Sequence, residues 1–167
     1  MVLDCLANTT EPYGTNMFIK KLFFPRLPDH IIDQIYESIK YNLDAWNKVD
    51  VPSEYDKFTM YNWLPANELI QDWCKSNISP DLYWGVQVID KNLPMHKDHG
   101  TQIKFNYIID QGGSNAKTNY YDDEGTLLDS YIMEDHEWYI LDVSKNHSVT
   151  EVISGQKRIS ITSRIIP

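Results

Sequence analysis

The sequence predicts a mainly β protein with flanking helices, an α+β chain in which the helices come early and the strands follow. Three observations predict it. Ile31, Ile35, Ile39 and Leu43 recur every four residues, which marks one amphipathic helix. After Ser79-Pro80 the chain changes character, and short strand-like runs follow at near-regular spacing as far as Ile165. Turn signals separate them at Asp90-Lys91-Asn92, Gln111-Gly112-Gly113-Ser114-Asn115, Asp122-Asp123-Glu124-Gly125 and Ser154-Gly155. Many short strands so spaced indicate a sandwich or barrel rather than a βαβ fold, and helices grouped before them favour α+β.

Taken in order, residues 1 to 16 carry Thr9, Thr10, Pro12 and Gly14 and read as a loosely ordered lead-in. Met17 to Phe24 reads as a strand closed by Pro25 and Pro28. Asp29 is placed as the N-cap of the first helix, whose stripe, with Ile32 and Tyr36 beside it, should lie against a sheet. Asp44 to Trp63 has no clear period; its Trp46, Tyr55, Phe58, Tyr61 and Trp63 read as an aromatic loop covering the mouth of a small barrel. Pro65 fits the first turn of a shorter helix through Cys74. The strand runs are then Leu82 to Ile89, Ile103 to Ile109, Asn119 to Tyr121, Leu127 to Met133, Trp138 to Val143, His147 to Ile153 and Arg158 to Ile165.

At 167 residues the chain fits one domain, with 1–81 as a helical flank and 82–167 as the strand core. A formal charge of −9 argues against a large nucleic-acid surface, which needs clustered Lys and Arg. No apolar stretch is long enough to span a bilayer, and Met1-Val2-Leu3-Asp4-Cys5 lacks the charged and apolar regions of a signal peptide, so a cytoplasmic protein is expected. Cys5 and Cys74 have no metal-binding spacing and fit a reducing compartment, with Cys74 beside Trp73 read as packing.

The chemistry-bearing stretch is Pro94-Met95-His96-Lys97-Asp98. In an extended segment His96 and Asp98 share a face and can grip one metal ion while Lys97 points away. His99 falls on the opposite face and is read as surface or as a group behind the ligands. One His-x-Asp is weak by itself. Downstream, however, Asn146-His147-Ser148-Val149 precedes a strand in which Arg158, Ser160, Thr162 and Arg164 alternate with Ile159, Ile161 and Ile165. Two imidazoles and one carboxylate from separate strands make the facial triad that holds non-haem Fe(II) with three positions open.

In this ordered set, His96, Asp98, His147, Arg158 and Ser160, the chain resembles the Fe(II)- and 2-oxoglutarate-dependent oxygenases over roughly residues 82 to 166. The resemblance implies a double-stranded β-helix, the cupin-like jelly roll, with N-terminal helices packed on one sheet. It implies His96, Asp98 and His147 as Fe(II) ligands, His147 being chosen over His136, which lies in an acidic turn. It implies Arg158 and Ser160 as the receptors of the distal carboxylate of 2-oxoglutarate, with Tyr107 as an aromatic contact. Tyr107 and Asn106 fall on opposite strand faces, so at most one of them lines the pocket. Ascorbate would be an auxiliary reductant, with succinate and CO2 as co-products.

Prolyl- and asparaginyl-hydroxylase-like members share this core, so the expected reaction is hydroxylation of a peptide side chain or a small molecule. The run Arg158-x-Ser160-x-Thr162-x-Arg164 also resembles the C-terminal signature of AlkB-type nucleobase dealkylases. Against that stand the missing upstream Asn-x-Tyr, with Gln87-Val88-Ile89 in its neighbourhood, and the acidic chain. A cupin-like metal isomerase or a sugar-binding roll could use the same strands, but neither needs Arg158-x-Ser160 after a histidine; a catalytically silent binding module is the other alternative, and the intact triad argues against it.

Overall fold

Alternation along each strand sorts the side chains into two layers of core. In the computed structural model, which describes residues 18–51, 59–98 and 100–164, Trp84, Val86 and Val88, Phe105, Tyr107 and Ile109, and Ile159 and Ile161 all join the core cluster beneath the helices. Their neighbours point the other way, where Ile108 packs with Tyr120 and Met133, and Ile89 with Leu93 and Val149. These strands are buried on both faces, so the polar residues that alternate along them, Lys104 and Asn106 on one and Arg158, Ser160 and Thr162 on another, are buried as well.

The elements are β1 Ile19–Leu22, α1 Asp29–Asn42, β2 Asn47–Val51, β3 Thr59–Pro65, α2 Glu68–Asn77, β4 Tyr83–Ile89, β5 Leu93–His96, β6 Ile103–Gln111, β7 Lys117–Tyr121, β8 Leu127–Tyr131, β9 Trp138–Asp142, β10 Asn146–Thr150 and β11 Arg158–Arg164. They form a seven-stranded sheet in the order β1-β9-β6-β11-β4-β3-β2 and a four-stranded sheet in the order β5-β10-β7-β8. Every pairing is antiparallel. Helices on the outer face of the larger sheet and a second sheet on its inner face make the jelly roll that the resemblance implied.

Helix α1 buries Ile31, Ile32, Ile35 and Ile39 against the larger sheet, as its period predicts. Its start differs from expectation. Pro28 is the N-cap, and Asp29 sits in the first helical turn, where it accepts a hydrogen bond from Arg26 at 3.1 Å instead of bonding a free backbone N–H. Pro65 likewise ends β3 rather than opening α2. The cap of α2 is Asn67, whose side-chain oxygen accepts from the Ile70 N–H at 3.0 Å. Asn67→Ala should therefore destabilise the protein by about 1 kcal/mol, seen as a lower urea midpoint with unchanged slope.

The stretch 44–63, read as an aromatic loop, contains instead a hairpin of β2 and β3 that extends one edge of the larger sheet. Asn47, Lys48 and Asp50 dilute its β-branched residues, so the sequence pattern is weak while backbone pairing holds the strands. Trp46 is buried in the helix-side core, Tyr61 packs between the sheets, and the Trp63 indole lies over Gly85, where a Cβ would collide with it. Residues 1–16, with Cys5, lie outside the described residues, as do Met17, Pro52, Tyr55, Phe58, His99 and Ile165. Among the described residues no helix is long and apolar enough to cross a membrane.

Cys74 is fully buried in the helix-side core, and burial pushes its thiol up to about 12. The unfolded thiol ionises near 9.0, so stability is intact below that pH and falls as pH rises from 9.0 towards about 12. In a Cys5→Ser background the folded protein should resist thiol labelling at pH 8 and react rapidly once unfolded in urea. Fast labelling of the folded form would contradict this packing.

Candidate metal centre

Antiparallel pairing of β5 with β10 sets His147 directly opposite His96, with ring centroids 4.4 Å apart. A register break follows at once between His147 and Val149. Each ring is held by its own strand. Nδ1 of His96 contacts the Pro94 carbonyl at 2.7 Å, and Nδ1 of His147 contacts the Lys145 carbonyl at 2.9 Å. A carbonyl only accepts, so each Nδ1 carries the proton and each Nε2 keeps a free lone pair.

Asp98 lies just beyond β5, so the expected pair within one strand is a strand residue and a residue past its end. Its N–H donates to the Val143 carbonyl at 3.1 Å, which ties the segment to the end of β9. Its Oδ1 then sits 3.6 Å from His96 Nε2 and 3.9 Å from His147 Nε2. The donor atoms of the three residues all lie within 4.8 Å of one another. Its Oδ2 forms an ion pair with Lys104 Nζ, from the larger sheet.

Burial lowers both histidines from their ordinary value, His147 to about 4 with the neighbouring His96 adding to the effect. Both rings are neutral at neutral pH, as metal ligation requires. Burial pushes the Asp98 carboxyl up, but the Lys104 ammonium and the two imidazoles outweigh it and hold the group below the usual carboxylate range. The result is two neutral nitrogen donors and one anionic oxygen on one side of a point inside the roll.

On β11, Arg158 is 3% exposed, and its Nη2 donates to Thr118 Oγ1 at 3.1 Å and lies 3.9 Å from Met133 Sδ. Its Nη1 is buried with no hydrogen-bond partner, and no ion pair reaches the guanidinium among the described residues. Burial lowers it to about 10, so it remains a cation at neutral pH. Ser160, two residues on, is buried on the same strand face. Thr118 and Tyr120 belong to β7, which pairs with β10; Thr118 opposes Val149 and Tyr120 opposes His147. The two ends of the site are thus joined through one strand pair.

Tyr107 does not join this site. Its hydroxyl accepts from the Leu27 N–H at 3.3 Å and its ring packs on Trp138 in the helix-side core, because its strand parity faces the helices. Asn106, its neighbour, takes the inner face with Oδ1 buried and unpartnered, as does Thr162 Oγ1 on the residue opposite it. His136 also stays apart, in a left-handed turn (φ 62°) with its N–H on the Ile108 carbonyl.

Three participants had no place in the sequence reading. Lys104 shares the parity of Asn106, so the alternation that separates Asn106 from Tyr107 was the signal for it. Thr118 lay outside the expected strand, which began one residue later. Tyr120 presents a buried, unpartnered hydroxyl, its ring centroid 5.9 Å from that of His147.

No protein-family model matches the sequence, and no curated protein matches it. Solved structures share the fold. A prolyl-4-hydroxylase from Pseudomonas putida aligns with a TM-score of 0.61 and 12% identity over 99% of this chain and 97% of that one. An oxidoreductase of the 2OG-Fe(II) oxygenase family from Burkholderia pseudomallei aligns at 0.57 and 8% identity, over 89% of this chain and 85% of its own. SnoK, a non-haem α-ketoglutarate-dependent carbocyclase from nogalamycin biosynthesis, aligns at 0.57 and 9% identity, over 87% and 78%. At such identities the likeness is one of fold, and the chemistry has to be argued from the site.

Proposed function

We propose that this protein is an Fe(II)- and 2-oxoglutarate-dependent dioxygenase that hydroxylates a peptide side chain or a small molecule. The observation that carries the reading is Arg158, a buried cation with one nitrogen unpartnered and, among the described residues, no ion pair, Asp135 attracting it only from beyond contact, inside the same roll as His96, Asp98 and His147. A guanidinium in such a place is costly unless an anion completes it, and its planar fork suits a carboxylate. The donor set fits the metal as well, since two imidazoles and one carboxylate leave positions free for co-substrate and oxygen.

Each residue then has a defined task. His96 and His147 offer Nε2, kept unprotonated by the carbonyls behind them, and Asp98 offers Oδ1. Arg158, held by Thr118, takes the distal carboxylate of 2-oxoglutarate, with the Ser160 hydroxyl assisting. Leu93, Ile89 and Val149 pack between the sheets and keep water from the interior. When bound, iron and co-substrate supply the oxidation: 2-oxoglutarate, dioxygen and a substrate C–H become succinate, CO2 and a C–OH. The buried polar atoms of Asn106 and Thr162 favour a prime substrate that brings hydrogen-bonding groups, as a peptide or a polar small molecule does.

The test is succinate formation from 2-oxoglutarate by anaerobically purified protein, given Fe(II), ascorbate and then air, beside Arg158→Ala. Slow turnover without prime substrate, lost in the variant, is the expected result. If there is no turnover and 2-oxoglutarate also fails to bind the metal-loaded protein, the oxygenase reading gives way to a silent binding module.

A further inference from the structure

Lys104 is the one cation in contact with the metal-ligand set among the described residues, and it touches an atom that the proposed chemistry does not use. It is 9% exposed on β6, on the face that also carries Asn106 and Ile108, and it crosses from the larger sheet to Oδ2 of Asp98. The other oxygen, Oδ1, is the one that faces both imidazoles, at 3.6 and 3.9 Å. The two oxygens of one carboxylate are therefore committed to different partners.

We propose that Lys104 is a positioning residue that restricts Asp98 to a single metal-ligating oxygen and so keeps a coordination position open. The inference rests on the metal centre proposed above. A carboxylate beside a divalent cation binds through one oxygen or chelates through both, and nothing in the Asp98 backbone contact selects between them. A lysine ammonium on Oδ2 does select. It occupies the lone pairs that chelation would need, and it sets a positive charge beside the metal, which also opposes a tighter carboxylate grip. Chelation would take a fourth position and leave two, where a bidentate co-substrate and dioxygen together require three. Lys104 thus gives up metal affinity for open coordination.

The consequence runs against the usual effect of altering a site. Removing Lys104 should strengthen metal binding while closing a position. The test uses Mn(II) as the probe with the full chain, reading affinity by its electron paramagnetic signal and bound water by proton relaxation. Wild type should retain roughly three exchangeable waters, the six octahedral positions less three protein donors. Lys104→Met should bind Mn(II) about tenfold more tightly and hold about one water fewer. Lys104→Arg, which restores a cation to Oδ2, should return the wild-type count.

An unchanged water count in Lys104→Met overturns the proposal, whatever the affinity. Should circular dichroism find that variant unfolded, Lys104→Gln, neutral and more polar, is read against the same two quantities. Failure of wild type to bind Mn(II) at all would overturn the metal centre itself, and Lys104's role with it, a result distinct from equal water counts in a protein that binds.

Discussion

Asp98→Ala is expected to lose divalent-metal affinity by more than either histidine variant. Removal of groups that merely support a ligand typically costs about 10–100-fold, and loss of a ligand should exceed that range. His96→Ala or His147→Ala removes a neutral donor and leaves the local charge as it was. Asp98→Ala removes the only anion in the triad and abandons the Lys104 ammonium, so the site turns from balanced to positive. A cation then has to bind beside an uncompensated cation with two donors instead of three.

The same change should also cost stability, because breaking a largely buried ion pair by deleting one partner typically costs about 3–5 kcal/mol. With the side chains 11% and 18% exposed, the lower end is expected. Anaerobic calorimetric titration with Fe(II) and urea unfolding of the metal-free protein check the two halves. An Asp98→Ala protein that binds Fe(II) within about tenfold of wild type would remove Asp98 from the ligand set, since even the loss of a group that only supports a ligand typically costs about tenfold or more.

Much of this candidate site is legible in sequence because His96 and Asp98 are near neighbours in the chain and Arg158 and Ser160 follow strand alternation. The period-2 run at Arg158, Ser160 and Thr162 separates a polar face from Ile159 and Ile161, and the structure puts the two faces on opposite sides of the sheet. The stripe of α1 is visible for the same reason, since its period is local.

What alternation does not supply is which face looks inward. On β6 both faces are buried, one under the helices and one under the second sheet, so Tyr107 and Asn106 are equally plausible as pocket residues until the layers are known. An aromatic is the more familiar pocket residue, and that preference selects Tyr107 wrongly; the same uncertainty hides Lys104. The β2–β3 hairpin is illegible for a different reason. It is held chiefly by backbone pairing at a sheet edge, which leaves a weaker imprint on side-chain pattern than burial on two faces.

Arg158→Leu should separate function from stability more sharply than any other change in the chain. If the guanidinium receives the distal carboxylate of 2-oxoglutarate, deleting one partner of that buried charge pair costs about 2–5 kcal/mol, or roughly 30- to 4,000-fold in co-substrate affinity. The free protein is affected in the opposite sense. There the guanidinium has lost its hydration, has one hydrogen bond to a hydroxyl, and has no ion pair among the described residues, with Asp135 attracting it only from beyond contact. An apolar side chain removes that burden, which offsets the cavity left because Leu is smaller than Arg, and apolar replacements of buried charge are often neutral or stabilising by about 1–4 kcal/mol. Arg158→Leu is therefore expected to keep or raise the urea midpoint while 2-oxoglutarate binding to the anaerobic metal-loaded protein collapses. Arg158→Lys keeps the charge and loses the fork, so it should recover only part of the affinity. A structural arginine would behave in reverse, with stability falling and co-substrate affinity holding. That pairing of results would move the carboxylate receptor away from Arg158 and leave the buried cation as a packing element of the roll.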